Sequence, residues 1–185
     1  MMSEEKKLSI YDPFVMLHDR KTVFTRQNLL DEKVSIVIPE DFVLLDEATR
    51  RKIYAVSDTP GCLYSNEQGC FVLGLKQTET KLAENQLDFA MNIMKKVFPY
   101  SAHNAQLLSS KIMQAQNAPL GVLEYVHETL LEKVYQIMFL GSLENRMLVG
   151  SLHFSLTDSE WMVPLAEEIM TSYCDLTKTK EGAAD

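Results

Sequence analysis

The chain has 185 residues, 46% of them hydrophobic, with a formal net charge of -8, which suits one compact domain with a sizeable core. The acidic balance, with no basic run longer than Arg50-Arg51-Lys52, leaves no electrostatic footprint for a phosphate backbone and excludes nucleic acid as an expected partner. No stretch reaches the roughly 18 uninterrupted apolar residues of a membrane span. The opening MMSEEKKLSIYDPF carries Glu4, Glu5, Lys6 and Lys7 without the apolar core of a signal peptide, so the expectation is a cytoplasmic protein.

Residues 1–21 read as a polar N-terminal arm whose apolar patch, Phe14 to Leu17, docks on the domain. A single domain is expected over 22–174, and a polar, fraying tail over 175–185. From Thr22 the text TVFTRQNLLDEKVSIVIPEDF gives two strands around a polar turn. Pro39 stops the second, because it has no amide hydrogen for a ladder. After a mixed segment comes a strand pair, Cys62 to Ser65 and Cys70 to Gln77, joined by a turn containing Asn66 and Gly69. This arrangement predicts Cys62 and Cys70 facing one another across a hairpin. The odd cysteine count, with Cys174 as the third, points to free thiols used for packing rather than a disulfide framework or a metal site.

The period then changes. Leu87, Met91, Met94 and Phe98, with Ala90 and Val97 beside them, recur at three and four residues and mark the buried stripe of a helix that Pro99 ends. From Leu107 to Leu156 four strands follow in series: LLSSKIMQA, LGVLEYVHET, VYQIMFLGS and MLVGSLHFSL. Their short links predict an antiparallel meander. Leu148, Leu152, Phe154 and Leu156 line one face of the last strand, while Met147, Val149 and His153 line the other. Apolar residues on both faces predict a sheet covered on both sides. Thr157 and Glu160 predict a capping box for the closing helix, in which Trp161, Leu165, Ile169 and Tyr173 form the buried stripe and Trp161 wedges against the sheet. Pro164 falls inside this pattern, so the helix either kinks or becomes regular only near Val163.

Chemical signals are few. His127-Glu128 opens like the zinc motif His-Glu-x-x-His, but Leu131 stands where the second imidazole belongs. On a strand the two side chains point to opposite faces. His18, His103 and His153 are scattered. Glu167-Glu168 and Asp31-Glu32 read as solvated faces. There is no glycine-rich phosphate loop and no Gly-x-Ser-x-Gly turn. No catalytic, cofactor-binding or metal-binding residue is therefore expected.

The order of elements, with the turn YSNEQG before an apolar strand, a helix ended by proline, the meander KVYQIMFLGSLENRMLVGSLHF and a closing helix from Trp161 to Ser172-Tyr173, resembles the PsbP-like superfamily. That group includes PsbP, the Ran-binding protein Mog and the DcrB-like proteins. The resemblance implies an α/β/α sandwich (α+β) with a central, mainly antiparallel sheet of about six to seven strands and a long helix on each side. It also implies action by binding other proteins, with the cytoplasmic, chaperone-like or regulatory members as the closer analogy. The expected function is a non-catalytic module that holds a basic or apolar protein segment, since the acidic chain repels an acidic one. Met113, Met138 and Met147 are the candidate lining of its groove, because methionine adapts to irregular surfaces. The alternative is a small-molecule binder or small enzyme whose site is assembled from distant residues such as His153 and Cys70.

Overall fold

The computed structural model describes residues 8–53, 61–101, 104–129 and 131–178. His103 and the outer ends of the expected arm and tail, 1–7 and 179–185, lie outside the described residues. Two hairpins open the chain, β1 (Val15–Leu17) with β2 (Arg20–Thr22) and β3 (Phe24–Leu29) with β4 (Val34–Pro39). Then come β5 (Val43–Leu44), α1 (Glu47–Ile53), β6 (Cys62–Ser65), β7 (Val72–Lys81) and α2 (Leu87–Ser101). The meander is β8 (Ala105–Gln114), β9 (Pro119–Glu128), β10 (Lys133–Leu143) and β11 (Arg146–Ser155), followed by α3 (Ser159–Thr171) and β12 (Cys174–Asp175).

Seven strands make one antiparallel sheet in the order β5-β6-β7-β11-β10-β9-β8. The first long hairpin does not join it. Instead β12-β4-β3 forms a separate three-stranded sheet, and α3 packs against both β11 and β4, between the two sheets. The other face of the large sheet carries α2, where Leu87 and Met91 bury themselves against Leu123 and Leu140. The expected two-sided sheet with a helix on each side is present. Short links fix the meander as predicted: β10 turns into β11 through Glu144 and Asn145, whose φ angles of 52° and 58° give the twist-matched two-residue hairpin turn.

Several local expectations need correction. Cys62 pairs with Leu75 and Tyr64 with Leu73, so the ladder ends before Cys70 and the two cysteines do not face each other. Pro99 lies inside α2, which continues to Ser101; so near the C-terminal end the ring does not stop the helix. The capping box is absent. Thr157 sits in a 3-10 turn, Leu156–Asp158, with its hydroxyl 2.9 Å from that of Ser155. Asp158 precedes α3 without a side-chain cap bond, its backbone being already helical at the end of that turn, and its carboxylate meets His18. Trp161 is only partly buried against the core, while Met162, Leu165, Ala166, Ile169 and Met170 take the buried face of α3. Helix α1 has a signal in Asp46, whose Oδ1 accepts from the Thr49 amide at 2.8 Å in the manner of an N-cap.

Both ends of the described chain are tied to the domain. Val15 and Leu17 join the main core cluster, and the Ser9 hydroxyl and Ile10 amide donate to Glu168 Oε2 at 2.9 and 2.8 Å. Glu168 is therefore an anchor for the opening segment, while Glu167 is exposed as expected and pairs with Lys111 at 2.7 Å. At the other end Asp175, buried, pairs with Val34, and the Leu176 amide donates to the Lys33 carbonyl at 2.9 Å.

The end of α3 shows how polar groups are satisfied at the core. Ser172 Oγ donates to the Ile169 carbonyl at 2.6 Å and accepts from the Val37 amide at 2.8 Å. Arg26 Nη1 reaches the Ser172 carbonyl at 3.0 Å. Ser172→Ala is expected to cost about 1 to 3 kcal/mol, since it strips a buried amide of its acceptor. The neighbouring Tyr173 hydroxyl is buried without a partner among the described residues, and burial pushes its pKa up. Tyr173→Phe should therefore stay within about 1 kcal/mol of the parent and on the stabilising side. Urea unfolding of the two variants side by side checks the contrast.

Candidate protein-binding surface

Helix α2 has more apolar surface than the sheet can cover. Its inner stripe, Leu87, Met91 and Phe98, is buried, and the approach is close because Met91 lies over Gly121: a Cβ there would stand 2.4 Å from the sulfur. A second stripe, Phe89, Ile93, Val97 and Tyr100, is 69, 45, 45 and 79% exposed. Spacings of four, four and three residues place these side chains on one flank. Beside that flank lie Ala90 and Met94, and these two, with Met138, Met147 and Val149 of β10 and β11, pack partly open around the buried cluster of Leu87, Met91, Leu123 and Leu140. The result is a continuous apolar surface running from the helix to the strands beside it, a feature that marks interaction sites more often than random exposure does.

The three methionines singled out from the sequence do not line one groove. Met138 and Met147 belong to the α2 face, whereas Met113 packs against the core cluster on the α3 face. The strand period explains the split, since alternate residues of β8 point to opposite sides. The edge strand β8 adds further open apolar groups, Leu107, Leu108 and Ile112. Its only charge, Lys111, is turned toward Glu167 and Glu124, at 2.7 and 3.8 Å; the bond to Glu167 holds its pKa up.

The remaining polar groups fall into separate places. His127 lies at the end of β9 with Nε2 3.0 Å from Gln136 Oε1, as a strand histidine. His153, on the same face, is held neutral: burial first, then the charge of His127, pushes its pKa down to about 4. It does not meet Cys70. Cys70 sits instead with Sγ 3.7 Å from Nδ1 of His18, whose Nε2 is 2.9 Å from Asp158 Oδ2. The three cysteines are free. Among the described residues no group of three or more His, Cys, Asp or Glu is placed to hold a metal ion. A cleft of about 450 Å³ is lined by charged groups that include Glu84, Glu144, Asp175 and Lys178, and one of about 290 Å³ by His127, Glu128 and Lys133 among others. Both are open to solvent and polar, unlike the enclosed apolar pockets of small-molecule sites. Among the described residues no helix is long and apolar enough to cross a membrane.

No protein-family model and no curated protein matches the chain. Solved structures do. Cyanobacterial PsbP (CyanoP) from Synechocystis aligns with a TM-score of 0.57 at 11% identity, covering 82% of this chain and 92% of that one. LpqN, involved in cell envelope biogenesis of Mycobacterium tuberculosis, aligns with a TM-score of 0.51 at 12% identity, over 91% of this chain and 97% of its own. A Bacteroides thetaiotaomicron protein gives 0.52 at 10% identity over 81% of this chain, but only 47% of that larger chain. At such identities the likeness concerns architecture. The chain has a PsbP-like α+β fold.

Proposed function

We propose that this chain is a protein-binding module that holds an amphipathic helix of another protein along α2, through a surface that carries no catalytic group. The observation that carries the reading is the second apolar stripe of α2, Phe89 to Tyr100, beside Met138 and Met147. At 1.5 Å per residue the stripe is about 17 Å long, three turns of helix, which matches the apolar face of a short helical segment. The net charge of -8 favours a segment that is also basic. A chaperone-like or regulatory role for such a module, in the cytoplasm, accords with its three free thiols.

Calorimetry with a synthetic amphipathic helical peptide carrying leucines on one face and lysines on the other tests the proposal. Binding is expected, and Ile93→Asp or Met147→Asp should weaken it at least about tenfold, the loss of roughly 1.4 kcal/mol. Met113→Asp, on the opposite face, should leave affinity unchanged. An added carboxylate would strengthen a purely electrostatic association with the basic peptide, so the direction separates the two causes. Absence of binding, or equal binding by the folded α2-face variants, would overturn the assignment.

A further inference from the structure

We propose that Cys70, His18 and Asp158 form a nucleophilic thiol site that accepts a small acyl group from an activated ester or thioester. The site lies apart from the α2 surface, at the start of α3. Its geometry is that of a nucleophile, a base and an orienting group in line. Asp158 Oδ2 stands 2.9 Å from His18 Nε2, so the carboxylate accepts a hydrogen bond from Nε2–H and fixes the tautomer. The lone pair is then on Nδ1, which faces Cys70 Sγ at 3.7 Å. Trp161 meets the imidazole edge-on, ring centres 5.5 Å apart, and limits its rotation.

Two local features bring the imidazole and the carboxylate together. First, Asp158 ends the 3-10 turn with helical backbone angles, φ -93° and ψ -2°, and makes no side-chain cap bond, which leaves its carboxylate to His18. Second, His18 and Asp19 form the two-residue turn between β1 and β2 with φ of 44° and 62°, positions where asparagine and glycine are usual. The turn, of the same two-residue kind as that at Glu144 and Asn145, presents the imidazole to the sulfur.

The chemistry follows from the protonation states. Burial, and next to it the charge of Asp158, raises the Cys70 pKa, so the resting sulfur keeps its proton and needs a base. As Sγ adds to the acyl carbonyl, its proton passes to His18 Nδ1. The bond to the leaving oxygen or sulfur then breaks, the leaving group takes that proton back, and the acyl group remains on Cys70 as a thioester. No electrons are exchanged with an outside partner. The field of Arg20 and the backbone amide of Cys70 both favour negative charge at the sulfur. Cys70 is only 7% exposed, which restricts the donor to a small acyl group, while the half-exposed imidazole can exchange its proton with water.

The test is exposure of the protein to p-nitrophenyl acetate, with site-resolved mass spectrometry of the three cysteines over time. Without a base, the buried Cys70 should be acetylated more slowly than the more open Cys62 and Cys174; with it, Cys70 is expected to react at least about tenfold faster than either. His18→Asn, chosen because asparagine tolerates positive φ, should lower the Cys70 rate by about a hundredfold and leave the other two cysteines unchanged. Asp158→Asn should act in the same direction. A Cys70 rate at or below that of Cys62 in the unsubstituted protein overturns the proposal without reference to any variant. So does an unchanged Cys70 rate in folded His18→Asn.

Discussion

Gly150→Ala is expected to destabilise the protein by about 3 kcal/mol, the upper part of the range for overpacking a filled core. Gly150 of β11 stands opposite Phe139 of β10, and an added Cβ would lie 2.0 Å from Cζ and 2.1 Å from Cε2 of that ring. The ring cannot give way easily. Phe139 is fully buried, as are Val122, its partner on β9, and Leu152 on the same face of β11, so any displacement is transmitted through close-packed side chains. Gly121→Ala is a useful contrast, because its Cβ would meet the sulfur and Cγ of Met91, a side chain with three rotatable bonds that adapts at lower cost, about 1 kcal/mol. In a double-mutant cycle, Phe139→Leu should relieve part of the Gly150→Ala penalty, with a coupling of about 1 to 2 kcal/mol. Denaturant midpoints for the four proteins measure it, and a Gly150→Ala midpoint equal to the parent's would show that the ring does not lie across the glycine.

How far the sequence carries this picture depends on the range of the interaction concerned. The meander strands were legible within a residue or two because alternation such as Leu148, Leu152 and Phe154 against Met147, Val149 and His153 is a local signal. The inner stripe of α2 was legible for the same reason. Nothing local tells β3 and β4 to pair with β12 (Cys174↔Ser35) rather than with the large sheet, since that choice rests on contacts more than a hundred residues apart. Both faces of β4 are apolar, which signals cover on two sides without saying what covers it. The outer stripe Phe89, Ile93, Val97 and Tyr100 was present in the text at helical spacing, but Val97 reads equally well as a flank of the buried stripe, and only the position of the sheet decides. Cys70, His18 and Asp158 come from the turn before β7, the first hairpin and the start of α3. No spacing rule links them, and Asp158 was hidden by a Thr157–Glu160 pattern that fits a cap equally well. Cys70 belongs to the cluster on the α3 face together with Leu152 and Phe154, whereas His153, between those two on β11, points to the opposite face.

Lowering the pH from about 6.5 to about 4 is expected to remove about 2 to 3 kcal/mol of stability through His153 alone. Its folded pKa is pushed down to about 4 from the ordinary 6.5, mainly by burial and further by the charge of His127. Between these values the unfolded chain binds a proton that the folded chain refuses, so stability rises with pH across the window and is fully present above it. The full difference corresponds to roughly 3 kcal/mol at 1.36 kcal/mol per unit of pKa; partial solvent contact of the ring brings it toward the lower figure. His153 pairs with Gln136 on β10 and Val72 on β7, in the middle of the sheet, opposite an uncharged amide and an apolar side chain. Glu144 is held below the ordinary carboxylate range, first by Lys33 and then by Gln77, and its loss of stability begins only at the acid end of the window. His153→Phe keeps an aromatic ring of similar size and takes up no proton. Its urea midpoint should be nearly flat between pH 6.5 and 4.5, where the parent's falls steadily. Parallel slopes for the two proteins would mean that His153 protonates without unfolding the sheet around it, and that the acid sensitivity belongs to other groups.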